Sequence, residues 1–244
     1  MKETILLKLK EIEEKENVKI IYAVESGSRA WGFESDDSDY DVRFIYVRKI
    51  KDYLSMFPKK DTIHFELNNI YDINGWDLQK ALKLLYQSNP TLYEWNHSPI
   101  MYKRTSEWES IQPAFEYYFQ IQKVLHHYYH MSITTYQKPK TLKRYLYTLR
   151  TILSCLWVIE KGTPPPIQLE ILVQEQLIHE LKAYVLSLIE QKRTQKENDS
   201  FQESPELNNY IEKQFQFIKP YLIHEKTNLD YHLLNEIFLN ILNI

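Results

Sequence analysis

Residues 25–47 read ESGSRAWGFESDDSDYDVRFIYV, from Glu25 to Val47. The stretch before it, Val18 to Val24, is short, β-branched and bounded by charge, which predicts a strand. Gly27-Ser28 interrupts that strand, and Arg29 to Phe33 has the look of a short helix or turn. Asp36, Asp37, Ser38 and Asp39 form a polar loop. Asp41 to Val47 alternates as a second strand. Asp39 and Asp41 are two residues apart, so on an extended backbone their carboxylates point to the same side. Side-by-side carboxylates repel, and hard divalent cations with oxygen ligands relieve that repulsion. Two such ions can serve both the attacking and the leaving oxygen of an in-line phosphoryl displacement. Gly27-Ser28, at the end of the preceding strand, offers backbone N–H groups and a hydroxyl to triphosphate oxygens. Asp36 and Asp37 read as solvated turn residues.

Further along, Thr62 to Leu67 and Ile70 to Ile73 predict two more strands. Upstream, Ile5, Leu9 and Ile12 mark an amphipathic helix over 3–15. From Asp77 the period changes to 3.6. Leu78, Leu82, Leu85 and Tyr86 predict a helix that ends at Asn89-Pro90. Helices are then expected over 112–131, 140–161, 167–192, 206–218 and 229–242. Pro164-Pro165-Pro166 is a stiff break, and Lys192 to Pro205 reads as a mobile polar connector. The expected fold is α+β: an α/β head with a small mixed sheet over 1–105, then a helical domain over 106–244. An active site is expected in the cleft between them.

Composition narrows the function classes. The 244 residues carry a net charge of −3, which argues against coating nucleic acid by bulk charge. The single cysteine, Cys155, rules out a disulfide framework and a Cys-rich zinc module. The charged N-terminus lacks an uninterrupted apolar segment, so a signal peptide is not expected, nor is a membrane span; the expected location is the cytoplasm. No GxxxxGK[ST] or GxGxxG string occurs, so P-loop and Rossmann chemistry have no support. Only four glycines are present, and Gly27, Gly32 and Gly75 lie in the first third, which directs attention to residues 20–80.

The string Gly27-Ser28-Arg29-Ala30-Trp31-Gly32-Phe33, followed by Ser38-Asp39-Tyr40-Asp41-Val42-Arg43-Phe44, resembles the signature of the DNA polymerase β-like nucleotidyltransferase superfamily. Within it, the chain is most similar to the YcgL-like or RlaP branch, bacterial nucleotidyltransferases associated with RNA repair. Asp72-Ile73-Asn74-Gly75-Trp76-Asp77-Leu78, Ser88-Asn89-Pro90, Glu94-Trp95 and Lys143-Arg144-Tyr145-Leu146-Tyr147 with Leu149-Arg150 extend the resemblance over roughly 18–165. Ser26 departs from the wider superfamily, where an apolar residue usually precedes the glycine. The resemblance implies transfer of a nucleoside monophosphate from an NTP or dNTP to a hydroxyl, with release of pyrophosphate. Asp39 and Asp41 would bind two Mg²⁺ ions, with Mn²⁺ as a substitute, and Gly27, Ser28 and Arg29 would hold the nucleotide. An RNA 3′ end is the implied acceptor. A protein or small-molecule acceptor keeps the same chemistry, and a catalytically silent nucleotide-binding scaffold is the reading from another class.

The superfamily uses a third acid. Asp72 and Glu66 both sit between apolar neighbours, so pattern does not separate them; the resemblance favours Asp72 as third metal ligand and catalytic residue. Asp77 is better placed to cap the helix from Leu78. Trp31 and Phe33 are expected to fix the loop by packing rather than to stack on a base. His126, His127 and His130 cluster without the His-Glu-x-x-His pattern, so a structural or polar role is favoured over metal binding. Lys143, Tyr147 and Arg150 fall at i, i+4, i+7 with Arg144 beside them. That stripe is expected to form a basic wall for nucleotide or acceptor phosphates, the competing reading being a solvated face paired with nearby acids.

Overall fold

The computed structural model describes residues 1–138, 141–194, 203–223 and 229–244. In chain order the first elements are α1 (Lys2–Glu16), β1 (Lys19–Glu25), α2 (Gly27–Trp31), β2 (Tyr40–Val47), α3 (Ile50–Tyr53), β3 (Thr62–Leu67), β4 (Tyr71–Asp77), α4 (Leu78–Tyr86), α5 (Pro90–Asn96) and β5 (Met101–Arg104). There follow α6 (Ser106–Glu109), α7 (Gln112–Tyr117), α8 (Ile121–Tyr136), α9 (Leu142–Lys161), α10 (Leu169–Gln176), α11 (His179–Thr194), α12 (Pro205–Ile218), a 3₁₀ turn (Lys219–Tyr221) and α13 (His232–Leu242). The class is α+β, as the change of period implies.

The strands form one mixed sheet in the order β3-β4-β2-β1-β5. β1 runs antiparallel to β2 and β5, β2 runs parallel to β4, and β3 runs antiparallel to β4. Ile5, Leu9 and Ile12 of α1 are buried with Val42, Phe44, Tyr46 and Ile73 on one face of this sheet. Each such side chain contributes about 1.5–3 kcal/mol of burial. Because side chains alternate along a strand, Asp41 and Arg43 are committed to the opposite face. Gly75 is set beside Phe44 in the parallel register, and a Cβ there would lie 2.2 Å from the Phe44 ring. The close approach that Gly75 permits is that of a core aromatic ring.

The chain divides into two compact units. The first comprises Met1–Ala30, Asp39–Tyr118 and the described residues of Asn228–Ile244; the second comprises Trp31–Ser38 and the described residues of Phe119–Thr227. This division differs from a single cut near residue 105. The C-terminal helix α13 returns to the first unit, where Tyr86 donates to the Leu229 carbonyl at 2.8 Å and Tyr118 donates to the Asp230 carbonyl at 2.6 Å. The second unit has its own core, formed by α8–α12 with Phe33 wholly buried in it.

Several local outcomes differ from the periodicity reading. The helix expected over 112–131 is two helices with a break at Tyr118, whose side chain is wholly buried and anchored to Asp230. The one expected over 167–192 also breaks, at Leu177, which takes an extended conformation to bury its side chain. An apolar stripe at helical spacing does not register a one- or two-residue interruption. The fifth strand, β5, was not expected; it is short, with an exposed first residue, and pairs only along β1. The connector expected over Lys192 to Pro205 lies largely outside the described residues. Among the described residues no helix is long and apolar enough to cross a membrane.

Candidate active site

Parallel pairing of β2 with β4 sets Asp41 directly beside Asp72, and Arg43 beside Asn74. All four side chains belong to the face opposite α1. Arg43 Nη2 donates to Asp41 Oδ1 at 2.7 Å and to Asp72 Oδ2 at 2.6 Å, while Nη1 donates to the Asp72 carbonyl at 2.6 Å. Asn74 donates to Asp72 Oδ1 at 3.1 Å. The two acids are thus oriented toward one cationic group, in a partly buried setting where charge is felt more strongly than in water. Sequence reasoning passed over Arg43, although its i+2 spacing from Asp41 placed it on the same strand face.

Gly27 explains the first half of the motif. It has φ +62°, and a Cβ built on it would lie 1.9 Å from Asp41 Oδ2. The Asp41 carboxylate therefore rests over the Gly27 backbone, in space that any side chain would fill. Ser28 follows and is buried. Arg29 stacks on the Tyr40 ring at 4.0 Å and donates from Nε to the Asp39 carbonyl at 3.1 Å. It fastens α2 to the start of β2.

Behind the sheet, Glu25 is wholly buried. Its Oε1 accepts from the Asp41 amide at 2.8 Å and its Oε2 from the Tyr102 hydroxyl at 2.5 Å. The Asp41 carbonyl in turn accepts from the Ser26 amide at 2.8 Å. Burial raises the Glu25 carboxyl from 4.5 to about 7, against the lowering effect of its two hydrogen bonds. The sequence signal for it is an acid closing a largely apolar strand.

The other acids separate clearly. Glu66 pairs across β3/β4 with Ile73, so it faces α1, where Lys8 reaches it at 2.5 Å. Asp77 caps α4 by accepting from the Gln79 amide at 2.8 Å and also accepts from Tyr53 at 3.0 Å. Burial raises its carboxyl. Asp39 immediately precedes β2, but no group of three His, Cys, Asp or Glu side chains suited to a metal converges among the described residues. Asp41 and Asp72 are brought together through Arg43.

In the second unit, α9 carries Lys143, Arg144, Tyr147 and Arg150. Arg144 is exposed, Lys143 and Tyr147 are half-buried, and Arg150 is wholly buried. The Arg150 guanidinium lies 4.4 Å from the Trp31 ring centroid, and Trp31 also packs on Tyr147 at 5.1 Å. The face expected to be one basic stripe thus divides, because Arg150 turns inward as a packing cation against Trp31. Trp31 and Phe33 are packing residues in this arrangement. The His126 and His130 rings stack at 6.3 Å on α8, and His126 Nε2 lies 3.3 Å from the Ile223 carbonyl.

Two carboxylates on adjacent strands, the Asp41 one resting over Gly27, are oxygen donors that fit a divalent cation. The chain matches, over residues 1–240, the family model RlaP, described as the RNA repair pathway DNA polymerase beta family. It is 40% identical over 225 residues to the uncharacterized protein YcgL of Bacillus subtilis (strain 168), a match spanning 89% of this chain and 86% of that relative. Among solved structures it is similar to spectinomycin adenyltransferase AAD(9) from Enterococcus faecialis, determined with ATP and spectinomycin, at TM-score 0.43 and 14% identity, over 88% of this chain and 98% of that one. The family match takes in both units, from α1 into α13, and so the chain belongs to the RNA repair pathway DNA polymerase beta family, RlaP, and is a nucleotidyltransferase.

Proposed function

We propose that this chain transfers a nucleoside monophosphate from an NTP or dNTP to the 3′-hydroxyl of an RNA, releasing pyrophosphate. The observation that carries the reading is the β2/β4 register, which sets Asp41 beside Asp72 with the Asp41 carboxylate lying over Gly27. The RNA acceptor is supported by the family's description as an RNA repair pathway group. Asp41 and Asp72 supply the oxygen ligands for Mg²⁺ or Mn²⁺, and Asp39 joins them as the third acid of a two-ion site. When bound, the ions neutralise triphosphate charge and polarise the acceptor oxygen. Asp72 accepts the proton of the acceptor hydroxyl. Gly27, Ser28 and Arg29 hold the triphosphate. Lys143, Arg144 and Tyr147 contribute nucleotide contacts, and Arg150 acts by seating Trp31. The chemistry is assigned to acids of the first unit, and the setting is the cytoplasm.

The test is incubation with each labelled NTP or dNTP, Mg²⁺ and pooled RNA, beside the Asp41→Asn variant. Label entering RNA with wild type and not with the variant supports the reading. Label that survives in the variant overturns the site. Label confined to protein or to a small molecule overturns the acceptor.

A further inference from the structure

The two halves of the sequence motif, Gly27–Ala30 and Asp39–Asp41, lie in the first unit, but the loop that joins them is built into the second. Four attachments hold that loop. Trp31 packs on Tyr147 under the Arg150 guanidinium, and Phe33 is wholly buried in the helical core. The Gly32 carbonyl accepts from Arg193 Nη2 at 2.7 Å, and the Ser35 hydroxyl accepts from Lys192 Nζ at 2.7 Å. Arg193 is itself oriented by Glu170 at 2.7 Å and by Glu190 one turn before it on α11. Ser35 passes the constraint on: its amide donates to Ser38 Oγ at 3.0 Å, its carbonyl accepts from the Ser38 amide at 3.0 Å, and the two hydroxyls lie 3.1 Å apart. Ser38 is the residue before Asp39.

Lys192 is only 2% exposed. A buried ammonium is costly to maintain, so its placement against the Ser35 hydroxyl is a specific structural commitment. A helix for which the sequence offered no motif therefore fixes the loop whose ends carry the nucleotide-binding and metal-binding residues.

We infer that Lys192 and Arg193 are positioning residues for the active site, acting through Ser35 and Gly32 on the placement of Asp39 and Ser28. The inference rests on the nucleotidyl-transfer reading for its catalytic consequence. Neither residue touches substrate. A shift of the loop by about 1 Å is enough to lower turnover by one to two orders of magnitude.

The test compares Lys192→Met, Ser35→Ala and the double variant, with Arg193→Met and Arg193→Lys as a second pair. Two readouts are taken: steady-state kinetics at a temperature where all variants are folded, and hydrogen exchange of the free protein over residues 31–39. Ser35→Ala keeps the test alive if Lys192→Met fails to fold. Lys192→Met and Ser35→Ala should each lower kcat about tenfold, and the double variant should fall no further than either single one. Arg193→Lys, which still donates to the Gly32 carbonyl, should recover most of the activity lost in Arg193→Met. Exchange over 31–39 should quicken about tenfold with that over α9 unchanged. A lowered melting temperature with unchanged kcat overturns the inference, as do fully additive losses in the double variant. A wild-type protein without nucleotidyl transfer refutes the functional reading instead. The exchange arm then decides alone, and unchanged protection of 31–39 overturns the lock.

Discussion

Replacing Gly27 by alanine adds a single methyl group, and the structure states what that methyl meets. It would lie 1.9 Å from Asp41 Oδ2 and 2.7 Å from Asp41 Cγ. Cβ contacts below 3.0 Å are essentially absent from proteins, so the carboxylate and the Gly27 backbone must separate by at least about 1.1 Å. Asp41 has little freedom to yield. Its amide is held by Glu25, its carbonyl by Ser26 and its Oδ1 by Arg43. Displacing the carboxylate therefore disturbs the Arg43 bridge to Asp72 as well. A misplacement of this size at reacting groups costs about 10²-fold in rate. Alanine at φ +62° adds a left-handed backbone cost of about 1–2 kcal/mol, which in a chain of this length lowers Tm by roughly 2–8 °C. The assay is steady-state transfer of labelled nucleotide well below the variant's melting temperature, with Mn²⁺ binding followed by electron paramagnetic resonance. Loss of both turnover and metal affinity in a folded Gly27→Ala protein is the expected result. A variant that turns over within twofold of wild type would refute the placement of the Asp41 carboxylate over Gly27.

The remaining expectations are briefer. Asp41→Asn and Asp72→Asn should each reduce turnover at least about 10²-fold and weaken Mn²⁺ binding, whereas Glu66→Gln should leave turnover within about twofold; equal losses for Glu66 and Asp72 would contradict the β3/β4 register as the sorting device. Lys143→Glu combined with Arg144→Glu should raise KM for nucleotide with Tm nearly constant, and Arg150→Met should instead lower Tm through lost packing on Trp31; the opposite pattern would return Arg150 to the substrate. Chelation by EDTA should abolish transfer, and Mg²⁺ or Mn²⁺ should restore it, as checked by adding back each ion. Glu25 titrates near 7 when folded and near 4.5 when unfolded, so its contribution to stability is present below pH 4.5 and is lost as pH rises through 7. The stability gap between wild type and Glu25→Gln should therefore move in favour of glutamine by up to about 3 kcal/mol between pH 4.5 and 8 in denaturant titrations; a gap that does not change with pH would show that burial is not what raises this carboxyl.

What could be read from the chain and what could not divides along a physical line. Period and local chemistry identified α1, β1–β4, α4 and its Asp77 cap, because alternation, helical stripes and side-chain caps are properties of neighbours in sequence. Pairing between strands is not. Asp72 and Glu66 occupy the same kind of apolar-acid-apolar site, and only the parallel register of β2 with β4 turns one toward Asp41 while the antiparallel partner β3 turns the other toward Lys8. A one-residue slip in either pairing would exchange their faces. The same limit hid the helical half's hold on the motif. Lys192 and Arg193 are more than 150 positions from the residues they bind, and on sequence they end a helix with the charges expected at a C-terminus. Arg150 shows the reverse case. Its i, i+4, i+7 spacing places it on a basic stripe, yet an arginine beside a partly buried tryptophan gains more from stacking its weakly hydrated plane on that ring than from facing solvent. Spacing assigns a residue to a face, but only the packing partner decides whether that face meets water or the core. Here the partner is Trp31, four residues beyond Gly27, so the contact that removes Arg150 from the basic stripe also seats the end of α2.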